Sequence, residues 1–222
     1  MLENIMKLLC VATAMSLVSF STQAVDNPDV SALRIAAQKG DAKAQVNLGI
    51  AYHDGQGVAK DDAEAVKWWQ KAADQGDGLA QSNIGSAYHL GAGVSKDDAK
   101  AVQWWQKAAD QGNVGGEAIL GMAYQQGLGV PQDNAQAVKW WQKAADQGNP
   151  GSEYNLGIAY GYGAGTAKNY VQAYKWFDLA AMQGNADAAK QRDAIKTSMS
   201  PEQVAEAIRL ANEWKSRHSS GK

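Results

Sequence analysis

The sequence predicts an all-α fold, a solenoid of stacked antiparallel helix pairs, and three observations predict it. The first is a repeat. Ala-Val-x-Trp-Trp-Gln-Lys-Ala-Ala-Asp-Gln-Gly occurs at Ala65–Gly76, Ala101–Gly112 and Ala137–Gly148, with a looser copy at Ala173–Gly184. The glycines that close each copy, with Gly40 before them, fall 36 residues apart without a slip. A fixed period of about 20–50 residues marks a repeat array instead of one globular core. The second is the junction chemistry. Gly40, Gly76, Gly112, Gly148 and Gly184 suit the left-handed residue that ends a helix. Each is followed by Asp41, Asp77, Asn113, Asn149 or Asn185, which suits the N-cap of the next helix. The third is periodicity. Ala44, Leu48, Ala51 and Tyr52 share one helical face, and Ala65, Trp68 and Ala72 another.

Length and charge bound the rest. The chain has 222 residues and a formal net charge of −2. That balance points to neither a nucleic-acid nor a membrane-surface partner. Residues 1–24 read as a secretory signal. Lys7 supplies the positive region, Leu8–Phe20 the apolar stretch, and Thr22-Gln23-Ala24 the cleavage site. Glu3 is awkward there, and Met6-Lys7 makes a better start than Met1. The apolar run falls short of the ~20 residues a membrane span needs, so no transmembrane segment is expected after signal removal. The expected location is the periplasm or the exterior. Cys10 is the only cysteine and lies inside the signal. The exported chain is therefore expected to hold together by packing, with no disulfide framework.

The elements follow in order. Residues 25–40 form a linker and an amino-terminal half-repeat, in which Ala36-Ala37-Gln38-Lys39-Gly40 is in register with Ala72–Gly76. Four full units are expected at 41–76, 77–112, 113–148 and 149–184, each of two helices. The first helix of unit one ends before Asp54-Gly55-Gln56-Gly57-Val58, where glycine permits the positive φ of a tight turn. Asp61 caps the second helix, and Glu64 completes a capping box. Asp133 with Gln136 and Asn169 with Gln172 repeat that device, while Asp97 with Lys100 does not. On the second helix, Val66, Trp69 and Ala73 form a row beside Ala65, Trp68 and Ala72. Two apolar rows require two neighbours, the partner helix of the same unit and the next unit. Residues 185–216 read as a half-repeat, Asn185–Thr197, and a capping helix, Pro201–Ser216, with Ser200 as N-cap, Pro201 at N1 and Val204, Ala207, Ala211 and Trp214 on one side. Residues 217–222 are expected to be a disordered tail.

The unit resembles the Sel-one-like repeat family, a branch of the tetratricopeptide-like helical repeats. The residues that carry the resemblance are Ala44, Leu48-Gly49, Tyr52, Gly55, Gly57-Val58, Asp61, Ala65, Trp68, Lys71-Ala72-Ala73 and Gly76. The match covers residues 30–197. Local departures are Ile84 for Leu48, Thr166 for Val58 and Asn169 for Asp61. The resemblance implies a right-handed α-solenoid that binds other proteins; no cofactor is expected.

Gly55-Gln56-Gly57 lacks the Gly-Lys-Ser/Thr and the preceding strand of a phosphate loop, and reads as a turn. His53 and His89 occupy the same position in consecutive units, without the Cys or His-Glu-x2-His of a zinc site, and read as surface histidines. The Trp pairs stand in register with alanines and read as core, not as an aromatic cage. Lys67, Lys71, Lys139 and Lys143 read as solvated. The rival class is a cell-wall enzyme or binder acting on β-lactams or peptidoglycan, as linked to cysteine-rich relatives of the family. Those relatives carry a cysteine pair in each repeat, absent here. The sole Ser-x2-Lys is Ser219-Ser220-Gly221-Lys222 in the tail.

The expected binding surface lies on the first helices. With Leu48 and Tyr52 buried, Lys43, Val46, Ile50 and His53 point the opposite way at roughly 100° per residue, with Asn47 at the edge. The resemblance places this side on the concave groove. Stepping through the repeats, the candidate partner-binding residues are Asn47, Ile50, His53, Asn83, Ser86, His89, Met122, Gln125, Asn155, Ile158 and Tyr162, with Ile119 at the Asn47 position of the third unit. The asparagines suit the backbone of an extended peptide, because each offers donors and an acceptor. They equally suit hydrogen bonds within the stack that fix helix spacing.

Overall fold

The computed structural model describes residues 30–219. The signal reading, Cys10, residues 25–29 of the linker and the end of the Ser-x2-Lys sequence lie outside the described residues. Every regular element described is a helix. The described chain divides into two compact units. The first comprises residues 30–123 with 128–131. It holds α1 (Val30–Gln38), α2 (Ala42–Asp54), α3 (Asp62–Asp74), α4 (Gly78–Leu90) and α5 (Asp98–Asp110), each packed on the next. The second comprises 124–127 with 132–219. It holds α7 (Asn134–Asp146), α8 (Pro150–Tyr162), α9 (Tyr170–Met182), α10 (Ala186–Lys196) and α11 (Pro201–Ser219). Here α8 packs between α7 and α9, and α9 carries both α10 and α11. The helix α6 (Val114–Gln126) runs through the division.

The junctions form because each cap residue satisfies an amide that the helix cannot. Asp41 Oδ1 accepts from the Ala44 N–H at 2.9 Å, and Asp77, Asn113, Asn149 and Asn185 repeat the bond one period on. Gly76 follows its helix at φ 88°, in the left-handed region. Asp61, Asp97, Asp133 and Asn169 cap the second helices in the same way. The reciprocal half of the expected capping box is absent. The Asp61 N–H donates to the Tyr52 carbonyl at 2.8 Å, and Asp97, Asp133 and Asn169 donate to Tyr88, Tyr124 and Tyr160. With that amide already bonded, Glu64 turns to Lys67 instead. Lys100 therefore breaks nothing at its position.

The turns between helices explain their glycines by close approach. A Cβ on Gly93 would stand 2.3 Å from the Asp62 carbonyl oxygen, and one on Gly129 2.2 Å from that of Asp98. In the second unit Gly165 meets Asn134 in the same manner. Each turn thus seats on the start of the preceding second helix, at a distance only glycine allows.

The two apolar rows do face two neighbours. Trp68 packs with Leu33, Ala37, Ala44 and Leu48, whereas Trp69 packs with Val46, Ala80 and Ile84. The two tryptophans of a pair differ in depth. Trp69, Trp105 and Trp141 are fully buried, while Trp104 and Trp140 are half-buried. Lys71, Lys107 and Lys143 lie over the Trp68, Trp104 and Trp140 rings at 3.7, 4.2 and 3.9 Å. These lysines cover the indoles with their stems and ammonium groups, a role beyond solvation. Gly49 and Gly85 make room for the deep indole. A Cβ on either would lie 2.4 or 2.5 Å from Trp69 or Trp105. At the carboxyl end, helix α11 continues past Ser216 to Ser219, so residues 217–219 are helical and not tail. The His218 ring stacks on Trp214 at 4.1 Å, which extends the helix by a further contact.

Candidate interaction face

In the first unit the expected face is assembled from α2, α4 and the part of α6 that ends at Ala123, with one correction. Val46 is 2% exposed and belongs to the core with Trp69 and Ile84. A helix inside a stack has neighbours on two sides, so the surface opposite Leu48 is only partly free. Asn47, Ile50 and His53 are half-buried, as are Ser86, His89 and Met122. Asn83 is buried at 5%, and its Nδ2 meets no hydrogen-bond acceptor in the protein. The Ser86 hydroxyl donates to the Ser82 carbonyl at 3.1 Å. In the preceding repeat the equivalent carbonyl, of Val46, accepts from Trp69 Nε1 at 3.2 Å. Trp105 Nε1 correspondingly has no acceptor.

The histidines are not plain surface residues. His53 Nδ1 lies 2.6 Å from Asp62 Oδ1, with the ring tilted on Trp69 at 5.8 Å. His89 repeats this with Asp98 at 2.6 Å and Trp105 at 5.7 Å. Sequence reasoning missed these pairs. The signal was present: His and Asp nine residues apart recur one period on, and both change together, to Gln125 and Asn134, in the third repeat.

In the second unit, Gln125, Asn155 and Ile158 converge. They line one small cavity with Asn134, Trp141, Ala159 and Ala164. Ile158 is buried at 7%, whereas Tyr162 is 53% exposed and stands apart from that cavity.

A second polar series runs between the paired helices of the first, second and last repeats. Gln75 Nε2 donates to Gln45 Oε1 at 2.7 Å, and Gln111 donates to Gln81 at 2.8 Å. In the last repeat Gln183 donates at 2.8 Å to Glu153, a carboxyl fully excluded from solvent. Burial pushes the Glu153 carboxyl up to about 8, against the opposing pull of Gln183 and the Lys175 charge. Burial in turn lowers the Lys175 ammonium from its usual range. Among the described residues no group of His, Cys, Asp and Glu is placed to hold a metal ion. No described helix is long and apolar enough to cross a membrane.

Stacked helix pairs with half-buried amide, hydroxyl and alkyl groups along one face define a helical-repeat scaffold for protein interaction. The chain belongs to the Sel1 repeat family, whose model matches residues 42–77, 78–113, 116–149 and 150–185. The chain has the Sel1-repeat solenoid fold. Its resemblance to the crystal structure of a Sel1 repeat protein from Oxalobacter formigenes covers 87% of this chain and 78% of that one, with 33% identity and a TM-score of 0.72. It is also similar to c5321, a protective antigen of uropathogenic Escherichia coli with an SLR fold, at 36% identity and a TM-score of 0.73 over 86% of this chain. The chain spans 40% of the length of c5321. The immunity protein PA5088 of Pseudomonas aeruginosa shares the fold, at 24% identity and a TM-score of 0.56 over 96% of this chain and 81% of that one. A search among curated proteins gives no match. Sel1-repeat proteins are generally non-catalytic scaffolds, and the family supports a protein as partner.

Proposed function

We propose that the chain is exported and that its first unit binds an extended, uncharged segment of a protein partner across α2, α4 and α6 at Met122. One observation carries this reading. Asn83 Nδ2 is a buried donor with no acceptor in the protein, and burying an amide group without a hydrogen bond costs on the order of 1–3 kcal/mol. A peptide carbonyl laid along the face supplies the acceptor once the Asn83 side chain rotates toward it. Asn47 extends the amide ladder, Ile50 and Met122 offer apolar contact beside it, and Ser86 offers hydroxyl lone pairs. The unpartnered amide also weighs against the alternative that this asparagine fixes helix spacing, since it makes no such bond.

Asn83→Ala separates the two roles. Because Nδ2 bonds nothing in the chain, the variant is expected to melt within about 2 °C of the parent while losing capture of its envelope partner by affinity pull-down. A melting point lowered by about 5 °C or more, or unchanged capture, removes Asn83 from the site. Export rests on Lys7, the apolar Leu8–Phe20 and Thr22-Gln23-Ala24. Sequencing the amino terminus of the protein recovered from the periplasm or medium is expected to give Val25. A cytoplasmic protein that retains Met1 or Met6 would sink this half of the proposal.

A further inference from the structure

The cavity in the second unit is lined by amides at positions where the first unit has a histidine and an aspartate. In the first two repeats the corresponding place holds an imidazole, His53 beside Asp62 and Trp69, then His89 beside Asp98 and Trp105. In the third repeat Gln125 and Asn134 stand in place of His and Asp. A cavity of about 10 Å³ lies there, against Trp141, Asn155 and Ala164. That is on the order of the volume that admits one water molecule. Polarity decides between a dry void and a hydrated one, since cavities lined by alkyl groups stay dry. Here Trp141 is 3% exposed, and its Nε1 has no acceptor in the protein. Indole nitrogen only donates, and the amide oxygens of Asn134 and Asn155 accept.

We propose that this cavity binds one ordered water, which accepts from Trp141 Nε1 and donates to amide oxygens of Asn134 and Asn155. The site is a polar anchor at the heart of the third repeat, and it stands independently of the peptide-binding reading.

The test is a water-selective ROE spectrum of the full chain labelled with nitrogen-15, with the Trp141 indole signal assigned by its loss in Trp141→Phe. A water cross-peak is expected at Trp141 Hε1 and none at Trp69 Hε1, which bonds the Val46 carbonyl. Two variants that fill the cavity are expected to abolish the Trp141 cross-peak. Gln125→His with Asn134→Asp restores the pair of the earlier repeats. Ala164→Leu introduces the residue that Leu128 already supplies at this turn position one repeat before. Absence of the cross-peak in the parent protein overturns the proposal. So does a cross-peak that survives in both folded variants, because the water then lies elsewhere.

Discussion

Trp105→Ala is expected to destabilise the chain by about 3–5 kcal/mol, the range for truncating a large aromatic in a packed interior. Trp105 is 2% exposed, and its indole fills the space that Gly85 leaves on α4, with His89 tilted against it at 5.7 Å. Trp104→Ala is expected to cost less, about 1–2 kcal/mol by the apolar area it returns to water. Trp104 is half-buried, and Lys107 covers its outer face at 4.2 Å. Trp214→Ala is likewise expected to cost less than Trp105→Ala. It lies in α11, which packs on α9 at the carboxyl end of the chain. Denaturant melts of the three variants check the order. A loss at Trp104 equal to that at Trp105 contradicts the difference in depth.

The second large effect concerns pH. The carboxyl of Glu153 is raised from 4.5 to about 8 by burial. Between those values the folded chain holds a proton that the unfolded chain has released. Stability therefore falls as pH rises from about 4.5 to about 8 and levels off above, with a total of roughly 3–5 kcal/mol. Glu153→Gln keeps an acceptor for Gln183 and removes the ionisation. Gln45 and Gln81 hold the same place in the first two repeats. Gln45 also donates through Nε2 to the Ala37 carbonyl at 3.1 Å. The variant is expected to match the parent at pH 4 and to exceed it by roughly 3–5 kcal/mol at pH 9. Urea unfolding across that range measures the difference. Parallel pH profiles for the two proteins would show that Glu153 ionises freely in the folded state.

Much of the architecture was legible in the residues because it is written locally. A cap needs only a side chain that reaches an amide three residues on. Asp41, Asp61 and their copies therefore announced where each helix starts. The turns were legible for a different reason, since Gly55 and Gly91 must adopt positive φ whatever surrounds them. The interaction face was half legible. The 100° rule separated Leu48 from Asn47, Ile50 and His53, but it treated the helix as having one buried side, and Val46 was misplaced for that reason.

The sequence by itself determined the repeat, its period, the helix pairs and the family, because these depend on contacts within a few residues and on a pattern copied four times. Tertiary structure decided the rest. It chose which tryptophan of each identical pair goes deep, since the angle at which a second helix meets its glycine-notched partner is not encoded within either helix. It joined Gln45 to Gln75 and His53 to Asp62. It also gave the Tyr52 carbonyl the amide that the capping box would have used. Each of these depends on where a second helix lies, and the distance between two helices is set only when both are packed.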